Sequence, residues 1–185
     1  ETLRKAGRPI DLPRHFGFLM DWHVIGPFDN TDEKGFDVVY PPEREIDLTA
    51  SYEGKHRKVE WTACTTDDDY GDVDLNRALG EEKGVVAYAV CEFVSEEEQP
   101  VEFRLTTHNA AKLWLNGRLI GAFDVYHGGS ELDQYVAKTT LKPGRKVILL
   151  KVCQKEQTQS WARAWHFALR VCAPDGTAIL SADRE

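Results

Sequence analysis

Two stretches of the sequence combine aromatic side chains with hydrogen-bonding ones, which is the mixture that protein sites for sugars use. Aromatic rings stack on the C–H faces of a sugar, while amides, carboxylates and Arg bond its hydroxyls from loops on a rigid framework. The candidate ligand-binding side chains are Tyr126, His127, Glu131 and Asp133 in the first stretch and Gln159, Trp161 and Arg163 in the second. For Trp161, ligand contact and packing of its own loop are both open. The acidic side chains are alternatively charges that keep their loop soluble.

A run of carboxylates between residues 65 and 74 suggests a different chemistry, the binding of a hard cation. Calcium takes six to eight oxygen ligands from closely spaced carboxylates and carbonyls. The candidate ligands are Asp67, Asp69, Asp72 and Asp74. The run departs from the helix-loop-helix calcium pattern, because Gly71 comes one place early and the twelfth place lacks a Glu. A solvated acidic loop is the alternative, and a structural calcium is the one cofactor that the sequence suggests.

The sequence carries no recognisable catalytic motif. It contains no G-x-S-x-G nucleophile elbow, no H-E-x-x-H zinc motif and no phosphate-binding Gly-rich loop. Two carboxylates suffice to hydrolyse a glycosidic bond, but with 31 acidic residues in the chain no pair stands out. We therefore predict that the domain is not itself an enzyme.

The four cysteines are Cys64, Cys91, Cys153 and Cys172, and their spacing lacks the close pairs typical of zinc sites. Three of them fall inside strand-like runs. Buried free thiols are the predicted state, with one disulfide left open.

Charge and composition limit the partners. The formal net charge of −8 opposes a phosphate backbone, so nucleic acid is excluded as a partner. No apolar run approaches the roughly 20 residues that span a bilayer, so no membrane insertion is expected. An apolar fraction of 42% with five Trp, eight Phe and six Tyr is enough to build one core in 185 residues.

Short runs that alternate apolar and polar residues flank the candidate loops and are separated by turn residues. Helical periodicity is nearly absent. The pattern predicts an all-β, antiparallel β-sandwich of the jelly-roll type with about ten strands. Asn116-Gly117 predicts a type I′ hairpin turn, and Trp114 lies on the opposite strand face from its neighbouring leucines. We expect Trp22, Trp61, Trp114 and Trp165 to pack in the interior. If residues 135–141 and 146–153 pair as a hairpin, the two candidate loops emerge at one end of the sandwich.

The segment from "AAKLWLNGRLIGAF" to "LKPGRKVILLKVCQ" resembles the sugar-binding jelly-roll domain of family 2 glycoside hydrolases. The stretches "DWHVIGPFDN", "PPE" and "AWHFALRV" are similar to modules of the galactose-binding-like superfamily that stand beside catalytic domains in large secreted bacterial proteins. The resemblance implies a galactose-binding-like jelly-roll fold, an accessory role beside an enzyme, and an extracytoplasmic or secreted parent protein.

Together these observations predict a non-catalytic carbohydrate-binding module that holds an attached enzyme near a polysaccharide or glycan. The alternative is a structural or protein-interaction module that packs against neighbouring domains of a larger parent chain. The predicted organisation is a linker or N-terminal extension over residues 1–15, one β-sandwich domain over residues 16–181, and a C-terminal tail over residues 182–185.

Overall fold

The computed structural model describes residues 10–183, which form twelve strands and a few short helices. The strands are β1 (Asp21–Asp29), β2 (Ser51–Glu53), β3 (Lys58–Glu60), β4 (Thr62–Thr65), β5 (Val73–Asp74), β6 (Val85–Ser95), β7 (Gln99–Thr106), β8 (Ala110–Leu115), β9 (Arg118–Phe123), β10 (Tyr135–Leu141), β11 (Gly144–Gln154) and β12 (His166–Cys172). The α-helices are α1 (Leu12–Phe16), α2 (Pro41–Arg44) and α3 (Leu75–Leu79), with 3-10 segments at Thr31–Phe36 and Ser160–Ala162.

The strands form an antiparallel sandwich, which confirms the predicted all-β class. One sheet has the order β4-β1-β6-β11-β8-β9 and the other β10-β7-β12-β5, while β2 and β3 pair only with each other. Alternating residues of both large sheets meet in one core that includes Phe103, Leu113, Trp165 and Phe167. Within residues 10–183, no helix is long and apolar enough to span a membrane.

Local sequence signals account for several elements. Both central residues of the Asn116-Gly117 turn have positive φ, 48° and 75°, as a type I′ turn requires. Helix α3 begins after Asp74, whose carboxylate accepts a hydrogen bond from the backbone N–H of Arg77 and so caps the helix. The long apolar strand β6 lies in the middle of the six-stranded sheet and is buried on both faces.

Residues 30–61 cover part of the outer face of the six-stranded sheet, and we call them the covering segment. For residues 29–45 the stretch "DNTDEKGFDVVYPPERE" predicts a long loop stiffened by Pro41-Pro42, and that prediction is wrong, because the Thr31–Phe36 3-10 segment and α2 lie there. The sequence also predicts a strand pair over residues 46–61, and the β2–β3 hairpin confirms it. Beneath it a second hydrophobic cluster forms, in which Trp114 is buried with Phe28, Phe36 and Leu149. Packing of Trp114 is therefore confirmed.

A fully buried lysine fixes the covering segment to the sheet. The Nζ atom of Lys151, on β11, donates hydrogen bonds to the carbonyl oxygens of Phe36 and Val38 at 3.0 and 2.8 Å. It also donates to Glu43 Oε1 at 2.8 Å, and the hydroxyl of Tyr88 donates to the same carboxylate oxygen. One ammonium group thus binds three points of the covering segment from below.

Strands β10 and β11 do not form the hairpin that the sequence suggested. Strand β10 pairs with β7 in the four-stranded sheet, whereas β11 pairs with β6 and β8 in the six-stranded sheet. The Pro143-Gly144 turn therefore passes the chain between the sheets. Pairing partners in a sandwich are set by burial over long sequence distances, which a local turn signal does not reveal.

The predicted terminal segments are only partly described. Residues 1–9 of the predicted N-terminal extension and residues 184–185 of the predicted tail lie outside the described residues. The rest of the extension includes α1, which is capped by Asp11 and ends at Gly17. All four cysteines are free thiols, and three of them are buried, as predicted.

Candidate functional site

The two predicted loops meet at one end of the sandwich, although the reason differs from the expected hairpin. Strand register places the end of β9 opposite the start of β8, through the pair Phe123 and Ala111. It also places the end of β11 opposite the start of β8, through Cys153 and Ala110. The loops that follow β9 and β11, residues 124–134 and 155–165, therefore leave from the same end, which we call the loop end.

An exposed tryptophan supported by a histidine is the main feature of the loop end. Trp161 is 62% exposed and lies in the short 3-10 segment Ser160–Ala162. Its ring contacts that of His127 edge to face, with centroids 4.9 Å apart and planes at 79°. His127 adopts a left-handed backbone, φ 57°, and its N–H donates to the carbonyl oxygen of His108 at 2.7 Å. One aromatic surface is thus held in place while much of it faces solvent.

Tyr126 joins the loop end to the covering segment. Its hydroxyl accepts a hydrogen bond from Asn30 Nδ2 at 3.1 Å, and the Lys155 ammonium lies 5.4 Å from its ring centroid. Lys155 also pairs with Glu33 at 2.5 Å. Burial raises the pKa of the Tyr126 hydroxyl well above its ordinary value. The hydroxyl therefore remains a neutral hydrogen-bonding group at physiological pH.

Burial and nearby cations act on the histidine beneath Trp161. Burial first, and then the positive charges of Lys155 and Lys83, lower the pKa of His127 below its ordinary value of 6.5. Lys83 is held there because its Nζ donates to the carbonyl oxygen of Ala162 at 2.6 Å. His127 Nε2 is buried without a hydrogen-bond partner among the described residues. The closed loop end therefore favours the uncharged imidazole.

Asp133 is engaged in structural ion pairs, and its role as a ligand contact stays a prediction. Its carboxylate accepts hydrogen bonds from Arg170 Nε at 2.6 Å and from Arg104 Nη1 at 3.0 Å. Arg104 in turn pairs with Glu102. This ion-pair group ties the loop of residues 124–134 to the outer face of the four-stranded sheet. Both oxygens of Asp133 are already engaged by cations from β7 and β12.

The remaining predicted ligand residues are exposed at the loop end. They are Glu131, Gln159 and Arg163. Their backbone carbonyls stabilise the loops by accepting hydrogen bonds, from Ala162 N–H in the case of Gln159 and from Asn76 and Gln154 in the case of Arg163. Their side chains remain available to a ligand. Lys83 and Lys155 complete this surface, and no sequence pattern indicates them because they come from separate loops.

The predicted calcium ligands are spread over different contacts. Asp72 contacts Nδ1 of His166, and Asp74 caps α3. Asp67 and Asp69 lie on the exposed turn whose backbone N–H groups bond to Asp68. Among residues 10–183, no group of three or more His, Cys, Asp or Glu side chains is arranged to hold a metal ion. Calcium binding therefore stays a prediction, and this arrangement does not add to it.

A cleft that the sequence did not reveal lies on the outer face of the six-stranded sheet, beside the covering segment. It has a volume of about 850 Å³, and its lining includes Trp114, Val90 and Leu149 from the sheet and Ile46 from the covering segment. Cavities of this size commonly hold small-molecule ligands. Its walls come from segments distant in sequence, which is why no motif marks it.

Comparison with known proteins gives weak similarity. No protein-family model and no curated protein matches the chain. Among solved structures, a beta-glucosidase from Kluyveromyces marxianus matches at 16% identity and a TM-score of 0.48, covering 85% of this chain and 16% of that chain. A beta-glucuronidase from Faecalibacterium prausnitzii matches at 17% identity and 0.44, covering 74% and 20%. A family 35 carbohydrate-binding module from Clostridium thermocellum matches at 11% identity and 0.34, covering 48% and 71%.

The chain thus spans no more than a fifth of either matched enzyme. Nothing about the ligand of this chain follows from similarities at these levels, and its function has to be inferred from its own side chains.

Proposed function

We propose that the protein is a non-catalytic carbohydrate-binding module whose site is the loop end. The observation that carries the proposal is the 62% exposure of Trp161 on a ring that His127 supports. The exposed face of this indole matches the C–H surface of a pyranose ring, on which aromatic side chains stack. Exposed Gln159, Arg163 and Glu131 supply hydrogen-bond donors and acceptors around it.

The role of such a module is to keep an attached enzyme close to its substrate. Tethering raises the effective concentration of the substrate without any chemistry by the module itself. The proposal therefore places the chain in a larger, extracytoplasmic protein that acts on a polysaccharide or glycan. Affinity for a single sugar is expected to be low, because one stacking ring and a few exposed polar groups form the contact.

Replacing Trp161 with alanine is expected to weaken glycan binding about two- to tenfold, since stacking of this kind contributes roughly 0.5–1.5 kcal/mol. A glycan and polysaccharide array followed by calorimetry on the hits measures the loss. Trp161→Phe should restore part of the affinity because a stacking ring remains. Tyr70→Ala serves as the matched control, since Tyr70 is 50% exposed on the acidic loop and outside the loop end. An equal loss in both alanine variants would contradict the proposed site.

Binding is also expected to weaken several-fold as the pH falls from about 7 to 5. The folded-state pKa of His127 lies below its ordinary value of 6.5. When the loop end unfolds, the His127 imidazole regains its ordinary pKa and therefore binds a proton more readily than it does in the folded loop end, which we call the closed arrangement. The stability of the closed arrangement is therefore complete above pH 6.5 and is lost as the pH falls below it.

Affinity measured across that pH range tests this expectation. His127→Gln should flatten the profile because the ionisable ring is gone. His56→Gln should leave it unchanged, since the His56 side chain is 64% exposed and belongs to the β2–β3 hairpin. A pH profile that His127→Gln does not alter would exclude this histidine as the cause.

One observation favours the alternative, a module that packs against neighbouring domains. Val38 and Val39 are adjacent in the covering segment and are 43% and 48% exposed. Contiguous exposed apolar side chains mark protein interaction sites when the patch is broad. A wild-type protein that binds nothing on a broad glycan array would favour this alternative over the module proposed above.

A further inference from the structure

The cleft on the outer face of the six-stranded sheet takes no part in the loop end. It is bounded on one side by Pro42, Arg44, Glu45 and Ile46 of the covering segment. The Asn116-Gly117 turn lines it as well, at the opposite end of β8 from the loop end. A ligand in the cleft would therefore bind independently of Trp161.

The floor of the cleft is a row of side chains that crosses four neighbouring strands. Strand register aligns His23 with Val90, Val90 with Leu149, and Leu149 with Trp114. Strands lie about 4.8 Å apart, so the row is about 14 Å long. Its middle is apolar and largely buried, since Val90, Leu149 and Trp114 expose 4, 5 and 9% of their surface, and the exposed His23 stands at one end. An extended ligand with an apolar face fits this row better than a compact one.

The walls of the cleft carry an excess of negative charge. Asp21 lies two residues before His23 on β1, and Glu92 lies two residues after Val90 on β6. Because side chains two residues apart on a strand share a face, both carboxylates point to the face that carries the floor row. The other lining carboxylates are Glu43, Glu45 and Asp183. The cations that face them are Arg44 in the lining, Lys151 bound to Glu43, and Arg145 bound to Glu92. Five carboxylates thus face three permanent cations, with the exposed His23 beside them.

Two of these carboxylates are the ones best placed to meet a ligand. Asp21 is exposed and accepts a hydrogen bond from the hydroxyl of Thr65, which leaves it without a cationic partner among the described residues. Glu45 is exposed on the opposite wall. Carboxylates on both sides of an apolar row favour a ligand with an apolar face and positively charged edges.

We propose that the cleft is a second saccharide site and that it takes a chain of amino sugars. The sugar rings would lie on the row of Val90, Leu149 and Trp114, and their ammonium groups would meet Asp21 and Glu45. The choice of a saccharide rests on the proposed function, whereas the preference for amino groups rests on the charges of the cleft. Acidic saccharides are repelled by the same walls.

Calorimetry on the Trp161→Ala protein tests the cleft alone, because that variant removes the loop-end contact. The probes are a β-1,4-linked glucosamine hexamer, cellohexaose and a hexamer of galacturonic acid, at pH 6 and low salt. We expect the glucosamine hexamer to bind at least tenfold more tightly than cellohexaose, and the galacturonic acid hexamer not to bind. Asp21→Asn combined with Glu45→Gln should weaken glucosamine hexamer binding at least tenfold.

A matched pair of substitutions separates a site from attraction to an acidic protein. Asp175→Asn with Glu96→Gln removes the same two charges from exposed positions outside the cleft and should leave the affinity within about twofold. Equal losses in the two double variants, or no binding of the glucosamine hexamer, would overturn the proposal for the cleft. Failure of the loop-end proposal looks different, since Trp161→Ala would then leave every array signal of the wild-type protein unchanged.

Discussion

Replacing Lys151 with methionine is expected to lower the free energy of unfolding by about 3–5 kcal/mol, the cost of removing one partner from a buried ion pair. Lys151 has no exposed surface, and its ammonium bonds to Phe36, Val38 and Glu43. Methionine keeps most of the volume but leaves two carbonyl oxygens and a carboxylate without this donor. Urea denaturation at pH 7 measures the difference.

Two further variants identify the cause of that loss. Adding Glu43→Gln to Lys151→Met should recover part of the stability, because the charge left without its cation is removed while the hydrogen bond from Tyr88 can persist. Lys138→Met makes the same substitution at a side chain that is 76% exposed and should change stability by less than about 1 kcal/mol. A similar loss in both lysine variants would contradict the argument.

Asp133→Asn is the second substitution with a large expected effect, a destabilisation of roughly 2–4 kcal/mol. The carboxylate of Asp133 is 21% exposed and faces Arg170, whose side chain is 6% exposed. Asparagine has nearly the same shape, but it leaves the Arg170 guanidinium without its anion and removes one of the two carboxylates that face Arg104. The loss should appear in urea denaturation, whether or not a ligand is present.

The same carboxylate gives the protein a predictable sensitivity to acid. Burial acts to raise the pKa of Asp133, but hydrogen bonds from Arg170 and Arg104 outweigh it, so the pKa lies below the ordinary value of 3.8. Its contribution to stability is therefore complete above pH 3.8 and is lost as the pH falls through the lowered pKa.

In Asp133→Asn, that part of the decline in stability at low pH should be absent. Glu131→Gln, at an exposed position of the same loop, should leave both the stability and its pH profile unchanged. A destabilised Glu131→Gln protein would show that loop charge in general, rather than the ion pair, is responsible.

Much of the fold could be predicted because a half-buried strand shows in the sequence as a local alternation of apolar and polar residues. The alternation of Val101, Phe103 and Leu105 with Glu102 and Arg104 places three side chains in the core and two on the outer face of the sheet, and the structure confirms it, with Glu102 covered there by its ion pairs to Arg104 and Lys138. The Asn-Gly turn is equally local. Pairing between strands is not local, since the partner of β10 is β7, which ends about thirty residues earlier in the chain.

The covering segment shows what such local patterns miss. Its residues make few regular elements, and two of its backbone carbonyls, those of Phe36 and Val38, accept hydrogen bonds from Lys151, which belongs to a strand more than one hundred residues later. The sequence feature that points to this contact is Lys151, the charged residue among the otherwise apolar residues 147–153 of β11. A charged side chain in such a run has to find a buried partner, but the sequence does not say which segment provides it.

The candidate loops were brought together as predicted, yet the roles of their residues depended on distant charges. Asp133 looks like an available carboxylate in its own loop, and only the positions of Arg104 and Arg170 show that it is engaged. The cleft was missed for a related reason. Its floor is assembled from one or two residues of each of four strands, so no stretch of sequence contains enough of it to be recognised.

The independence of the β2–β3 hairpin has a consequence for how the protein can change. Neither of the two large sheets includes a strand from residues 30–61. Natural variation or engineering can therefore recompose that stretch while the strand pairing of the two large sheets stays as it is, provided that Lys151 keeps its carbonyl acceptors and the Glu43 carboxylate and that the apolar cluster beneath stays covered. One wall of the cleft can diversify in this way, whereas the floor of the cleft belongs to strands of the six-stranded sheet.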